Sequence, residues 1–152
     1  MFNSQCMKWL QLGVLLSAFI ACSTSEGACG FSAPAGWKQT DSRWDGGCAA
    51  GFADGLGVLK EISGGKVVRF FFGRIRNGNI EIGVIDQADG FIAGNFDRGQ
   101  FVASYDRQIY IDAFKHAEQA AQQAASRFKA AGNEASARFY ENKAKELASQ
   151  MD

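Results

Sequence analysis

The sequence predicts an α+β chain, with a glycine-rich antiparallel β meander followed by a C-terminal α-helical hairpin. Three observations predict it. Sixteen of the 18 glycines lie between Gly27 and Gly99, whereas twelve alanines lie between Ala113 and Ala148. Runs of β-branched and aromatic residues in the glycine-rich part are divided by short turn signals. Beyond Asp106 the apolar residues recur at spacings of three and four. The 152 residues make one domain or two small ones. Sixteen basic residues balance 16 acidic ones, so there is no electrostatic footprint for nucleic acid. The apolar content of 47% excludes a disordered chain. A single proline, and glycines without period three, exclude a collagen-like one.

Residues 1–21 read as an address. Lys8 is followed by thirteen residues, Trp9 to Ala21, that are mostly apolar. The run is too short for a bilayer span, which takes about 20 residues, and fits the apolar core of a secretory signal. It ends in Phe19-Ile20-Ala21-Cys22, which resembles a bacterial lipoprotein signal. That resemblance implies lipidation at Cys22. Ser23 after the cysteine implies an outer-membrane, periplasm-facing address. Acyl chains on Cys22 supply the two or more anchors that stable attachment requires. Phe19 and Ile20 depart from the usual residues of such a signal, and Ser23-Thr24-Ser25 offers an ordinary cleavage site instead. Secreted or periplasmic protein without a lipid, or an uncleaved anchor, are therefore the alternatives.

Residues 22–43 read as an N-terminal linker carrying half of a disulfide. Cys6 leaves with the signal and Cys22 is used for lipid, so Cys29 and Cys48 remain. In an oxidising compartment such a pair reads as a disulfide. The rival reading, a metal site, needs at least two more ligands, and the only histidine, His116, is remote in sequence. No metal is expected.

Residues 44–104 carry a repeat. Trp44-Asp45-Gly46-Gly47-Cys48-Ala49-Ala50-Gly51, Phe71-Phe72-Gly73-Arg74-Ile75-Arg76-Asn77-Gly78 and Ile92-Ala93-Gly94-Asn95-Phe96-Asp97-Arg98-Gly99 align on one pattern. Residues two apart share a strand face, which pairs Trp44 with Cys48, Phe71 with Ile75 and Ile92 with Phe96. The glycine between them leaves room on that face for a neighbouring ring, and the closing glycine suits a turn with positive φ. Asn77-Gly78 and Asp89-Gly90 signal hairpins, and Ser63-Gly64-Gly65-Lys66 a further turn. The strands between read as Val67 to Phe72 and Ile80 to Ile85.

This pattern resembles the MORN repeat, most closely in the first copy with its continuation to Gly55 and Gly57. With a cysteine some 20 residues upstream, that copy looks like bacterial exported MORN-type proteins. The resemblance implies an elongated meander, a Cys29–Cys48 pair, and an interaction or membrane-associated role. Ile92 departs from the aromatic of the pattern, and the later glycines thin out.

Residues 105–152 read as the helical hairpin. Ile111, Phe114, Ala117, Ala121, Ala124 and Phe128 make one stripe, and Ala137, Tyr140, Ala144, Leu147 and Met151 another. Gly132-Asn133 breaks the two apart, as a C-cap pair does. Seven basic and seven acidic residues rule out a polybasic arm. The hairpin either packs on the sheet or docks a partner, with self-association as one form of docking.

No catalytic set emerges. His116 reads as a solvated helix residue, and there is no Gly-x-Ser-x-Gly elbow. Asp54, Glu61, Glu81, Asp86, Asp89 and Asp97 are scattered over turns and strands and read as surface charges. No phosphate loop or other cofactor motif is present in the sequence. Arg69, Arg74 and Arg76, near a phenylalanine-rich strand, suit anionic groups. With Trp44, Phe71 and Phe96 they form the binding candidates. The expected function is a non-enzymatic cell-envelope lipoprotein that binds or scaffolds an envelope protein. The alternatives are an immunity or inhibitor lipoprotein against a secreted toxin, and a hydrolase of envelope glycan or lipid.

Overall fold

The computed structural model describes residues 28–152. The signal segment and the lipidation residue Cys22 lie outside the described residues. Six strands follow in order: β1 Ser42–Ala49, β2 Phe52–Ser63, β3 Lys66–Arg76, β4 Asn79–Gln87, β5 Gly90–Asp97 and β6 Gln100–Val102. They form one antiparallel sheet in sequence order. Two helices complete the chain, α1 Arg107–Ala130 and α2 Glu134–Ala148. The architecture is the expected α+β meander with a C-terminal hairpin.

The three repeat copies are three equivalent hairpin corners. Each ends in a two-residue turn with both residues at positive φ: Ala50-Gly51, Asn77-Gly78 and Arg98-Gly99. That is the turn whose twist matches the strands it joins. All three turns lie at the same end of the sheet, because each joins an odd strand to the next even one. The Asp89-Gly90 signal is displaced by one residue, with Ala88-Asp89 turning and Gly90 opening β5.

The inner glycines of the copies align across the sheet. Gly46 pairs with Gly57, Gly57 with Gly73, Gly73 with Gly83, and Gly83 with Gly94. The row spans five strands and forms a trough that rings fill. A Cβ on Gly73 or Gly83 would stand 2.8 or 2.9 Å from the Phe71 ring. One on Gly94 would stand 2.9 Å from Phe101. The Trp44 ring lies in the same way over Gly46 and Gly57. Aromatic residues and glycines thus interlock, which is why the repeat needs both.

Each sheet face has its own core. On one, Val58, Phe72 and Val84 pack against Phe114 and the alanines of α1, joined by Tyr140, Ala144 and Leu147 of α2. On the other, Leu59, Phe71, Ile75, Ile80, Ile85 and Phe96 pack against Trp37, Phe31 and Ala33. The three same-face pairs expected from the repeat all lie on this second face. One pair breaks the period of two. The register shifts opposite Arg74 and Ile75, so Ile80 and Ile82, two residues apart, enter opposite cores.

The hairpin packs on the sheet. Both expected stripes are buried at Phe114, Ala117, Ala121, Ala124, Ala137, Tyr140, Ala144 and Leu147. Ala113, Ala120 and Ala125 are buried as well, since α1 has both the sheet and α2 as neighbours. Asp106 caps α1 by accepting from Gln108 N at 2.8 Å. Gly132, at φ 77°, ends that helix, with Asn133 N donating to Phe128 O at 2.9 Å. Asn133 belongs to the next helix, which it caps through Ser136 N at 3.1 Å. Among the described residues, no helix is long and apolar enough to cross a membrane.

Candidate functional site

The stretch read as a linker is, from Ala28 onward, a strap across the second sheet face. It runs past the three repeat turns and donates a backbone hydrogen bond to each. Gly30 N donates to Gly51 O at 2.8 Å, Ser32 N to Gly78 O at 2.8 Å, and Ala35 N to Gly99 O at 2.9 Å. Cys29, Phe31 and Ala33 alternate toward the core, as in a half-buried strand. Cys29 and Cys48 stand at disulfide distance, with Cα atoms 5.7 Å apart, and fasten the strap to β1.

The strap then crosses to the middle of the sheet. The Trp37 ring carries the Arg69 guanidinium 5.1 Å from its centroid. Arg69 pairs through Nε with Glu61 and donates from Nη2 to Gly36 O at 3.0 Å. Lys38 N donates to the other oxygen of Glu61 at 3.1 Å. Glu61 is only 6% exposed, at a position where the strand alternation calls for an apolar residue. The Arg69 hydrogen bond holds its carboxyl below the ordinary carboxylate range, against the opposing effect of burial. A lone acid in an apolar alternation was the available signal. Reading Glu61 as a surface charge is corrected by this pairing.

Beside the disulfide, between strap and β1, lies a groove of about 810 Å³. Its walls include Cys29, Phe31, Gln39, Arg43, Trp44 and Cys48. Trp44 is half-buried, and its Nε1 donates to Gly47 O at 2.9 Å, which fixes the ring. The Gln39 amide is committed to the strap, accepting from Ala33 N at 2.6 Å and donating to Phe31 O at 2.9 Å. Arg43 is exposed at the rim and donates to Thr40 O and Ser42 O. An aromatic wall with one guanidinium at its rim suits contact with a flat or anionic group. Arg43 went unremarked in the sequence because nothing local distinguishes it.

The other binding candidates do not gather there. Phe71 is completely buried and meets Phe96 edge-on at 5.7 Å. Phe96 is 7% exposed, so both rings serve the core. The three arginines do not make one patch. Arg69 lies under the strap, whereas Arg74 and Arg76 alternate with Ile75 and belong to the opposite face. Arg76 pairs with Glu81 at 3.2 Å. The remaining acids have their own partners. Asp86 pairs with Lys143 at 2.8 Å, Asp97 with Arg98 at 3.5 Å, Asp54 accepts from Asn77 N at 3.2 Å, and Asp89 from Gln87 at 2.8 Å. His116 is half-buried, with Nδ1 2.7 Å from Asp112 O one turn back. Among the described residues, no three of His, Cys, Asp and Glu come together as metal ligands. Comparison with protein-family models, with curated proteins and with solved structures finds no match for this chain.

Proposed function

We propose that the chain is a non-enzymatic cell-envelope lipoprotein, anchored through acylated Cys22, that binds an envelope protein at the groove between strap and β1. A MORN-like repeat supplies the rigid sheet that holds the groove. The observation that carries this reading is the groove itself, with the fixed Trp44 ring, the exposed Arg43 and the Cys29–Cys48 fastening on one rim. A disulfide-distance pair accords with an oxidising compartment. The acids each engaged elsewhere favour binding over paired-carboxylate hydrolysis.

Two measurements test it. Intact mass of the mature protein should show acyl chains on Cys22, and a mature chain beginning after Cys22 refutes the anchor. Pull-down from envelope extract should recover a partner with the native chain and lose it with Arg43→Glu, which removes an exposed side chain from the rim. A partner held equally by both proteins places the binding surface elsewhere.

A further inference from the structure

A second pocket lies on the sheet face opposite the strap. Val58 and Phe72 belong to the core beneath the helical hairpin, and two residues on, Lys60 and Phe70 stand opposite each other on the same face. Phe128 comes from the last turns of α1, and Phe139 and Tyr140 from α2. Between these layers is a cavity of about 360 Å³. That is near the small end of ligand pockets, which run from about 300 to 1,000 Å³. Four of its rings hold one another. Phe70 meets Phe139 at 5.7 Å, Phe139 meets Tyr140 edge-on at 5.0 Å, and Tyr140 stacks on Phe128 at 5.4 Å. Phe139 is 43% exposed, so the mouth is open to solvent.

Two polar side chains enter this apolar lining, Lys60 and Ser136. Lys60 is half-buried, and among the described residues it makes no ion pair. Its cross-strand neighbours are Arg43 on β1 and Phe70 on β3, so neither is acidic. Lys143 is half-buried too, but two carboxylates meet it, Asp86 and Glu146. Withdrawing an ammonium from water is costly unless an anion meets it. The Ser136 amide is committed to Asn133 Oδ1 at 3.1 Å, whereas its hydroxyl has no partner among the described residues.

We propose that this pocket binds a small aryl carboxylate. Its ring lies among Phe70, Phe128, Phe139 and Tyr140, and its carboxylate meets the Lys60 ammonium and the Ser136 hydroxyl. Ring walls favour a ring as the body of the ligand, because aromatic edges and faces attract beyond the area they bury. Lys60 fixes the sign of the polar end, and a carboxylate accepts from ammonium and hydroxyl alike. The compact cavity favours one ring over a long acyl chain. The site is separate from the groove between strap and β1, and it requires neither the lipid anchor nor a partner protein.

The test uses the purified full chain carrying Cys22→Ser, so that no acyl chain or detergent competes for the pocket and the result does not depend on the anchor. Calorimetric titration with 3-phenylpropionate should saturate at one site per chain. Its neutral amide should bind about tenfold more weakly, the loss expected for one charge-assisted contact. Lys60→Gln should bring the acid down to the level of the amide, whereas Phe139→Ala should weaken both alike. No saturable binding of 3-phenylpropionate overturns the proposal. An acid held equally by the Lys60→Gln protein, or an amide held as tightly as the acid, overturns the role of the ammonium. Octanoate bound more tightly than 3-phenylpropionate overturns the aryl assignment. If Lys60→Gln does not fold, backbone amide shifts of the unsubstituted chain decide. Saturating 3-phenylpropionate should move Lys60, Ser136 and Phe139, and a titration that leaves all three unmoved refutes the placement.

Discussion

Glu61 shows how one residue ties a covering segment to a sheet. Its carboxylate receives Arg69 and the Lys38 amide, so both strap and strand meet on it. Its lowered pKa fixes the sign of the pH effect. A carboxyl held below its unfolded value of about 4.3 stabilises the fold above that value. That stabilisation is lost as pH falls through the folded pKa. Glu61→Gln should therefore cost about 1–3 kcal/mol at neutral pH. Urea melts should show the gap narrowing as pH falls below about 4.3 and on through the lower folded pKa; an equal gap at pH 7 and pH 3 refutes the assignment. Gly57 is the second sensitive residue. A Cβ there would stand 2.6 Å from Asp45 O as well as within the Trp44 ring. The backbone oxygen cannot rotate away as a side chain can. Gly57→Ala should lower stability by about 1–3 kcal/mol, read from denaturant melts. Gly51 offers a contrast, with open space around its Cβ position and a backbone φ of 83° as its only demand.

At the scale of the element, the hairpin is a cover and not an appendage. Its alanines let α1 lie close to the sheet, while Phe114 meets Phe91 edge-on at 5.6 Å. Tyr140 stacks on Phe128 at 5.4 Å and touches Phe72 edge-on at 6.3 Å, which brings α2 into the same core. Burial, reinforced by Asp45, pushes the Tyr140 phenol up to about 12. Lys143 reaches from α2 to Asp86 on β4 at 2.8 Å and to Glu146 at 2.6 Å. Burial draws its pKa down, and the two carboxylates more than offset that. Leu147 is fully enclosed in the α2 face of this core. Leu147→Ala should cost about 2–5 kcal/mol in thermal or urea unfolding. A loss below 1 kcal/mol would mean that α2 does not belong to the cooperative unit. Deleting residues 106–152 would expose Val58, Phe72 and Val84, so a pull-down with the tail removed reports on an unsettled sheet as well as on docking.

Among the described residues, the sheet is flanked on one face by chain that precedes it and on the other by chain that follows it. The C-terminal hairpin closes one face. The strap, from Ala28 to Asp41, closes part of the other. Removing the Cys29–Cys48 link frees the strap at its start. Cys29→Ser with Cys48→Ser should cost about 2–4 kcal/mol and speed amide exchange at Ser32 and Ala35, whose donors bridge to the turns. Unchanged exchange at both would mean that the backbone bonds alone hold the strap. The sequence determined the class, the hairpin corners and the helix stripes, because each rests on local chemistry: turn glycines, alternation of two, and spacing of three and four. The strap reads as a linker, although Cys29, Phe31 and Ala33 alternate toward the core. Tertiary structure alone decided the rest. The row from Gly46 to Gly94 exists only once register brings five strands side by side. Phe71 and Phe96 read as binding candidates, and it is the strap laid over the sheet that encloses them. Spacing along one chain fixes which side a residue takes. What covers that side depends on where distant segments come to lie, and no local spacing contains it.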